Sequence, residues 1–165
     1  MEFSDFIKYF SEVCICRIIN TSFFSLSKTW SESIRYGKWT LPDRAGGCAN
    51  NRSTFISNPQ YIFDIIGNER MEETIINLDQ RSLRYKGKDN LTIGFTLMKV
   101  EENRRYRMHS GQTRVATSTY INTRSVFMRL NLAPGRYCLV PSIFEPKVVG
   151  EFLLRIYTDN YHNFK

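Results

Sequence analysis

Period-two alternation in the second half of the chain most restricts the folds open to it. In "LTIGFTLMKVE", Ile93, Phe95, Leu97 and Lys99 fall on one face of an extended segment. In "SVFMRLNL", Val126, Met128, Leu130 and Leu132 fall on one face, and Phe127, Arg129 and Asn131 on the other. "APGR" at 133–136 carries the Pro134-Gly135 turn signal, and "YCLVPSIF" and "EFLLRIYTD" follow, separated by Glu145-Pro146 and Gly150. Side chains on a strand alternate between its two faces, so each segment must bury one side against something else. Several short strands with regular turns predict an all-β, antiparallel sandwich. "TFISNPQYIFDII", after Gly47, is rich in aromatic and β-branched residues and reads as more strand. Helical spacing is confined to residues 3–13, where Phe3, Phe6, Ile7 and Phe10 form one stripe and Ser4 is a plausible N-cap. "CICRII" reads as a strand with Cys14 and Cys16 on one face, and residues 20–40, with Trp30 and Trp39, give no clear pattern.

At 165 residues, 42% hydrophobic and 14% aromatic, the chain is long and apolar enough for one cored domain. No run approaches the roughly 18 apolar residues of a membrane span. The opening "MEFSDFIKYF" is acidic and broken by Asp5 and Lys8, unlike a secretory leader. Four cysteines in a chain of this length do not make a disulfide framework, so free thiols in a reducing compartment are expected. The net charge of +7 is concentrated. Residues 81–107 hold Arg81, Arg84, Lys86, Lys88, Lys99, Arg104, Arg105 and Arg107 against Asp89, Glu101 and Glu102, which is +5 of the total. Such an excess favours acidic partners: anionic lipid, acidic protein tails or nucleic acid.

The residues for catalysis are not assembled. "RAGGCANN" places Cys48 on a Gly-Gly turn, but a thiolate nucleophile needs a histidine beside it. The two histidines are distant: His109 among arginines in "RMHSGQ", and His162 near the last residue. Neither has zinc spacing, so no metal site and no cofactor are expected. There is no Walker loop, GxGxxG or GxSxG. Glu69, Glu72 and Glu73 read as a solvated loop rather than a calcium cradle. "NPQY" matches an adaptor-peptide motif, but Phe55, Ile62, Phe63 and Ile65 around it favour a structural role. Tyr85 and Tyr106 lie within the basic segment, yet no nucleic-acid module surrounds them, so nucleic acid is not expected as a partner.

Together the motifs resemble one family. "SDFIKYFSEVCIC", "GKW" and "AGGCANN…TF…NPQY" are similar to the junction where the calpain protease core passes into its β-sandwich domain, and "TIGFTLMKV", "YINTRSV", "LAPGRYCLVPSIFEP" and "GEFLLRIYTD" to that domain's consecutive strands. "EENRRY", "RYRMHS" and the short loops are similar to the atypical branch that lacks EF-hands. The resemblance implies a C2-like sandwich of about eight strands at residues 28–165 (domain III), preceded at 1–27 by the tail of the protease core with its short helix. The family's nucleophile and its His and Asn partners lie upstream, so no catalytic residue carries over and the chain is expected not to be an enzyme. The parent protein of this chain is expected to be proteolytically inactive. The long acidic loop of typical calpains is reduced here to "DIIGNERMEET", which weakens a calcium role. The family's basic segment survives as "DQRSLRYKGKD", and "PSIFEP" carries Ile143 where the family has Thr.

The resemblance implies a cytoplasmic, cytoskeleton-associated scaffold that binds microtubules through the acidic tails of tubulin, with Rho-family GTPase regulators as further partners. The residues expected to carry acidic-partner binding are Arg81, Arg84, Lys86, Lys88, Arg104, Arg105 and Arg107. The alternative is a regulatory domain of a calcium-dependent cysteine protease that binds anionic phospholipid or neighbouring calpain domains, above all the protease core.

Overall fold

The computed structural model describes residues 2–11, 18–22, 24, 26, 29–66, 70–83 and 87–159. A short helix α1 (Phe3–Tyr9) precedes nine strands: β1 (Ser31–Trp39), β2 (Tyr61–Ile65), β3 (Glu72–Gln80), β4 (Thr92–Val100), β5 (Thr113–Thr117), β6 (Ile121–Asn122), β7 (Ser125–Leu132), β8 (Gly135–Ile143) and β9 (Gly150–Thr158). They form two antiparallel sheets, one in the order β1-β9-β3-β7 and one in the order β2-β8-β4-β5, with β6 paired to β4. The expected β-sandwich is what is found. The helix is shorter than its spacing predicted: it ends at Tyr9, with Phe10 already extended. The expected strand at Cys14 and Cys16 lies outside the described residues.

The main core lies between the sheets. Ile76 and Leu78 of β3 and Phe152, Leu154 and Ile156 of β9 meet Phe63 and Ile65 of β2, Ile93, Phe95 and Leu97 of β4, and Leu139 of β8. Lys99, grouped with the β4 residues by parity, is exposed at the strand's end. β1 escaped the sequence pattern because its inward positions are small or polar for a reason. A Cβ on Gly37 would sit 2.2 Å from the Phe152 ring and 2.4 Å from the Tyr61 hydroxyl, so two aromatic rings occupy the space a side chain would need. Trp39 closes the end of this strand, its indole N–H donating to the Pro141 carbonyl at 3.0 Å. "APGR" is a corner that carries the chain from the first sheet to the second, and the Tyr137 hydroxyl ties it by donating to the Ala133 carbonyl at 2.7 Å.

The central strands β4 and β8 of the second sheet are buried on both faces, whereas β5 and β6 are largely exposed. Its outer face carries Met98 and Val100 of β4 and Cys138 and Val140 of β8, which pack with Phe55, Met108, Ala49, Ile56 and Ile62 into a smaller core. The cover consists of two segments far apart in sequence, residues 45–60 and the β4–β5 connection 101–112. Burial on both sides explains why β4, whose alternation predicted one buried face, buries side chains on both, as β8 does.

Candidate docking surface

The first cover segment is built around Asn58, which is 1% exposed. Its Oδ1 accepts from the Gly46 N–H at 3.0 Å, and its Nδ2 donates to the Gly47 and Phe55 carbonyls, each at 2.8 Å. The paired glycines are required here. A Cβ on Gly46 would lie 1.8 Å from the Thr54 carbonyl oxygen, and Gly47 has φ +79°, a left-handed conformation that glycine adopts without strain. Cys48 is buried beside them, its N–H donating to the Phe144 carbonyl at 3.0 Å and its Sγ accepting from the Asn51 amide at 3.8 Å. A buried thiol with an amide neighbour is a packing residue rather than a nucleophile. "TFISNPQYIFDII", expected to be continuous strand, is therefore divided: a 3-10 turn at Phe55–Ser57, the Asn58-Pro59 corner, then β2.

Gln60 joins the two cover segments. Its Nε2 donates to the Ile56 carbonyl at 2.8 Å and the Met108 carbonyl at 3.1 Å, and its Oε1 accepts from the Met108 N–H at 2.6 Å. Arg107 adds two bonds, donating to the Ile56 and Ser57 carbonyls at 2.9 and 3.2 Å. The motif "NPQY" is thus a structural latch: Asn58 shapes its own loop and Gln60 holds Met108 down in the outer core.

The basic residues expected to act together are divided. Arg81 and Lys88 lie on the β3–β4 connection, and Arg104, Arg105 and Arg107 on the β4–β5 connection. These leave from opposite ends of β4, a nine-residue strand about 27 Å long. Arg84 and Lys86 lie outside the described residues. Arg81 lines a depression of about 450 Å³ on the first sheet, with Tyr36, Arg124 and Arg155 among its walls. Lys88 is exposed.

The cation cluster at the other end is partly engaged. Arg104 donates to both carboxylate oxygens of Glu101 at 2.6 and 3.1 Å, which pulls the Glu101 carboxyl down to about 2. Arg136 forks onto Asp64 at 2.6 and 2.8 Å and donates to the Arg104 carbonyl at 2.7 Å. Its hydrogen bonds to Asp64 raise the Arg136 pKa further. Asp64, Arg104 and Arg136, with Ile62, Glu102, Asn103 and Arg105, line a cavity of about 470 Å³. Arg105 makes no hydrogen bond or ion pair with a described residue. Tyr106 beside it is 81% exposed. The sequence reading missed Arg114, whose Cα partner is Met98, so that it joins the cover's face, and Arg136. Arg136 could have been suspected from its place directly after the turn.

Of the acids expected in a solvated loop, Glu72 and Glu73 belong to β3 instead, and Glu69 lies outside the described residues. Glu72 is buried, and Glu73 forms an ion pair with Arg129 across β3 and β7. Among the described residues no three His, Cys, Asp or Glu come together as metal ligands, and no helix is long and apolar enough to cross a membrane. At the chain's other end, α1 offers a bare stripe. Phe3, Ile7 and Phe10 are 76%, 62% and 52% exposed, the Phe6 and Phe10 rings stack at 5.0 Å, and no residue of the helix is buried.

Residues 35–157 match the family described as calpain large subunit, domain III. The chain belongs to that family. Calpain-5 of Mus musculus is 49% identical over 168 residues, covering 96% of this chain and 26% of that protein. Calpain-5 of Caenorhabditis elegans is 40% identical, covering 99% and 27%, and the calpain-2 catalytic subunit of Homo sapiens is 34% identical, covering 96% and 26%. The chain therefore spans about a quarter of the length of the curated relatives it matches. The pre-peptidase C-terminal domain of Bacillus anthracis collagenase aligns with a TM-score of 0.48 at 13% identity, over 76% of this chain and 88% of that one, too remote to support an argument. Domain III is a non-catalytic accessory module of the calpains, with a regulatory or binding role.

Proposed function

We propose that this domain is a regulatory docking module, held against a preceding protease core by α1 and presenting its latched basic loop to an anionic surface, with phospholipid as the partner. The observation that carries the reading is the stripe of Phe3, Phe6, Ile7 and Phe10. Three of its side chains are more than half exposed, while the core of the sandwich is filled by the side chains of its own strands and loops. An apolar helix face of this kind is stable when covered. In the full-length protein, Phe3→Asp with Ile7→Asp should free the sandwich from the core, making the 18–30 connection many-fold more sensitive to limited proteolysis. Unchanged cleavage would refute the docking. Arg105→Glu with Arg107→Glu should reduce binding to phosphatidylserine vesicles, and retained binding would remove this loop from the site.

The chain's +7 charge supports a second reading, a cytoplasmic scaffold bound to the acidic tails of tubulin, with Rho-family regulators further along. It belongs with a calpain-6-like, proteolytically inactive parent, whereas the relatives reported above are calpain-5 and calpain-2 proteins. Co-sedimentation with microtubules across a salt series, with tail-stripped microtubules as control, tests it. Tail-dependent binding that falls with salt supports it. A domain that stays in the supernatant at low salt overturns it.

A further inference from the structure

We propose that Ser110 is a phosphoacceptor for an arginine-directed serine kinase, and that its phosphate unlocks the latch between the two cover segments. Arg105 and Arg107 are the chain's one Arg-x-Arg pair, and Ser110 stands three residues after the second. Kinases of this class read guanidinium groups three and five residues before the acceptor with their own acidic residues, a charge pattern that discriminates among substrates. Arg105, Arg107, His109, Ser110 and Gly111 are all exposed on the β4–β5 connection. A side chain added at Gly111 would meet no atom within 4 Å, so the space beside the acceptor is open. The serine sits on a connecting loop, where an incoming enzyme displaces no strand.

The reaction is an ordinary phosphoryl transfer. The Ser110 Oγ attacks the γ-phosphorus of magnesium-ATP, the bond from that phosphorus to the β-phosphate's bridging oxygen breaks, and ADP leaves. The hydroxyl proton passes to the kinase's catalytic carboxylate. The product carries a charge of roughly −1.5 to −2. Residues 101–114 hold Arg104, Arg105, Arg107 and Arg114 against Glu101 and Glu102, so the modification brings this segment from +2 to about neutral. It also places three strong acceptor oxygens three residues from Arg107, whose guanidinium is bound to the Ile56 and Ser57 carbonyls. A doubly charged phosphate competes well with neutral carbonyls for that guanidinium. Once Arg107 turns to the phosphate, Gln60 alone holds Met108 in the outer core. Phosphorylation thus cancels the loop's charge and loosens its seat, whichever anionic partner the loop meets. The inference does not depend on that partner, because its first readout is the modification itself.

The test incubates the full 165-residue chain with magnesium-ATP and a purified kinase that requires arginines at −3 and −5, and locates the phosphate by mass spectrometry. The expected result is one phosphate per chain at Ser110, absent in Ser110→Ala, with kcat/KM at least tenfold lower for Arg105→Ala, which breaks no bond in the fold. Labelling elsewhere would overturn the assignment. So would an unlabelled folded chain alongside a labelled 103–113 peptide, since the latch would then keep the serine from the enzyme. For the second half of the proposal, hydrogen exchange at the Met108 amide, which donates to Gln60, should quicken in the phosphorylated chain. Unchanged exchange would leave a modification site but no release of the latch.

Discussion

Asn58→Ala tests whether the cover is integral to the fold or merely rests on it. The side chain is buried and makes three hydrogen bonds of 2.8 to 3.0 Å, all to backbone groups of its own loop. Alanine fills none of them. The Gly46 N–H and the Gly47 and Phe55 carbonyls lose their side-chain partner in a place water does not reach freely, at about 1 kcal/mol each, and the vacated volume adds to that. The expected loss is about 3 to 4 kcal/mol, near the upper end for a single substitution. For a chain of this size each kcal/mol lowers Tm by roughly 2 to 4 °C, so calorimetry should show a fall of about 6 to 16 °C. The same loop covers Cys48 and Cys138, whose thiols are buried, with burial pushing Cys138 up to about 12. In a C14S/C16S background, a thiol reagent should therefore modify both cysteines faster in the variant than in the parent. A variant within about 0.5 kcal/mol of the parent, with thiols still protected, would refute the claim that Asn58 organises this loop. A large gain in thiol reactivity without a fall in Tm would show that the cover opens independently of the sandwich.

Met108→Ala removes a fully buried side chain from the outer core and should cost about 2 to 4 kcal/mol in urea unfolding, whereas the neighbouring Tyr106→Ala, on an exposed side chain, should cost under about 0.5. Gly37→Ala should destabilise by about 1 to 3 kcal/mol, because the new methyl meets the Phe152 ring and the Tyr61 hydroxyl; a neutral result would mean β1 and β9 are not packed as described. Tyr157 is raised to about 12, chiefly by burial and then by its hydrogen bond to Glu32. A raised pKa means the folded state holds the proton more tightly, so the associated stability is full below about 10 and is lost as pH rises through about 12. Tyr157→Phe should flatten the fall in Tm across that window, and an unchanged slope would remove Tyr157 as its cause.

The legible parts of the fold were the strands with one plain apolar face or two. β4, β7, β8 and β9 stand where alternation and turns predicted them, because burial on the sheet imposes that period directly. β1 was illegible because Gly37 faces inward to leave room for rings contributed by β2 and β9, and a strand filled by its neighbours' side chains has no apolar pattern of its own. The division of "TFISNPQYIFDII" was hidden for a different reason. Residue preference cannot say that the Asn58 amide will close three bonds on its own loop. Glu72 and Glu73 read as loop because acids are rare in cores, yet Glu73 finds Arg129 only through the β3–β7 pairing, a contact 56 residues away in sequence.

The basic segment shows where one-dimensional reading of a surface stops. Its +5 charge is real, but a strand buried on both faces runs through the middle of it, and the charges follow that strand to its two ends. At about 27 Å, more than three Debye lengths at physiological ionic strength, the two groups are screened from each other and cannot act as one field on a small ligand. A partner that needs both must be extended or flat, and a compact one must choose. The two ends are unequal in a way that bears on the choice. At the β4–β5 end Arg104 is neutralised by Glu101 and Arg107 is bound into the latch, leaving Arg105, Arg114 and the exposed Tyr106 to meet a ligand. Charge that also serves to hold the fold is displaced only at a cost to the fold. Reversing Arg105 should therefore weaken anionic binding with little change in stability, and reversing Arg107 should change both.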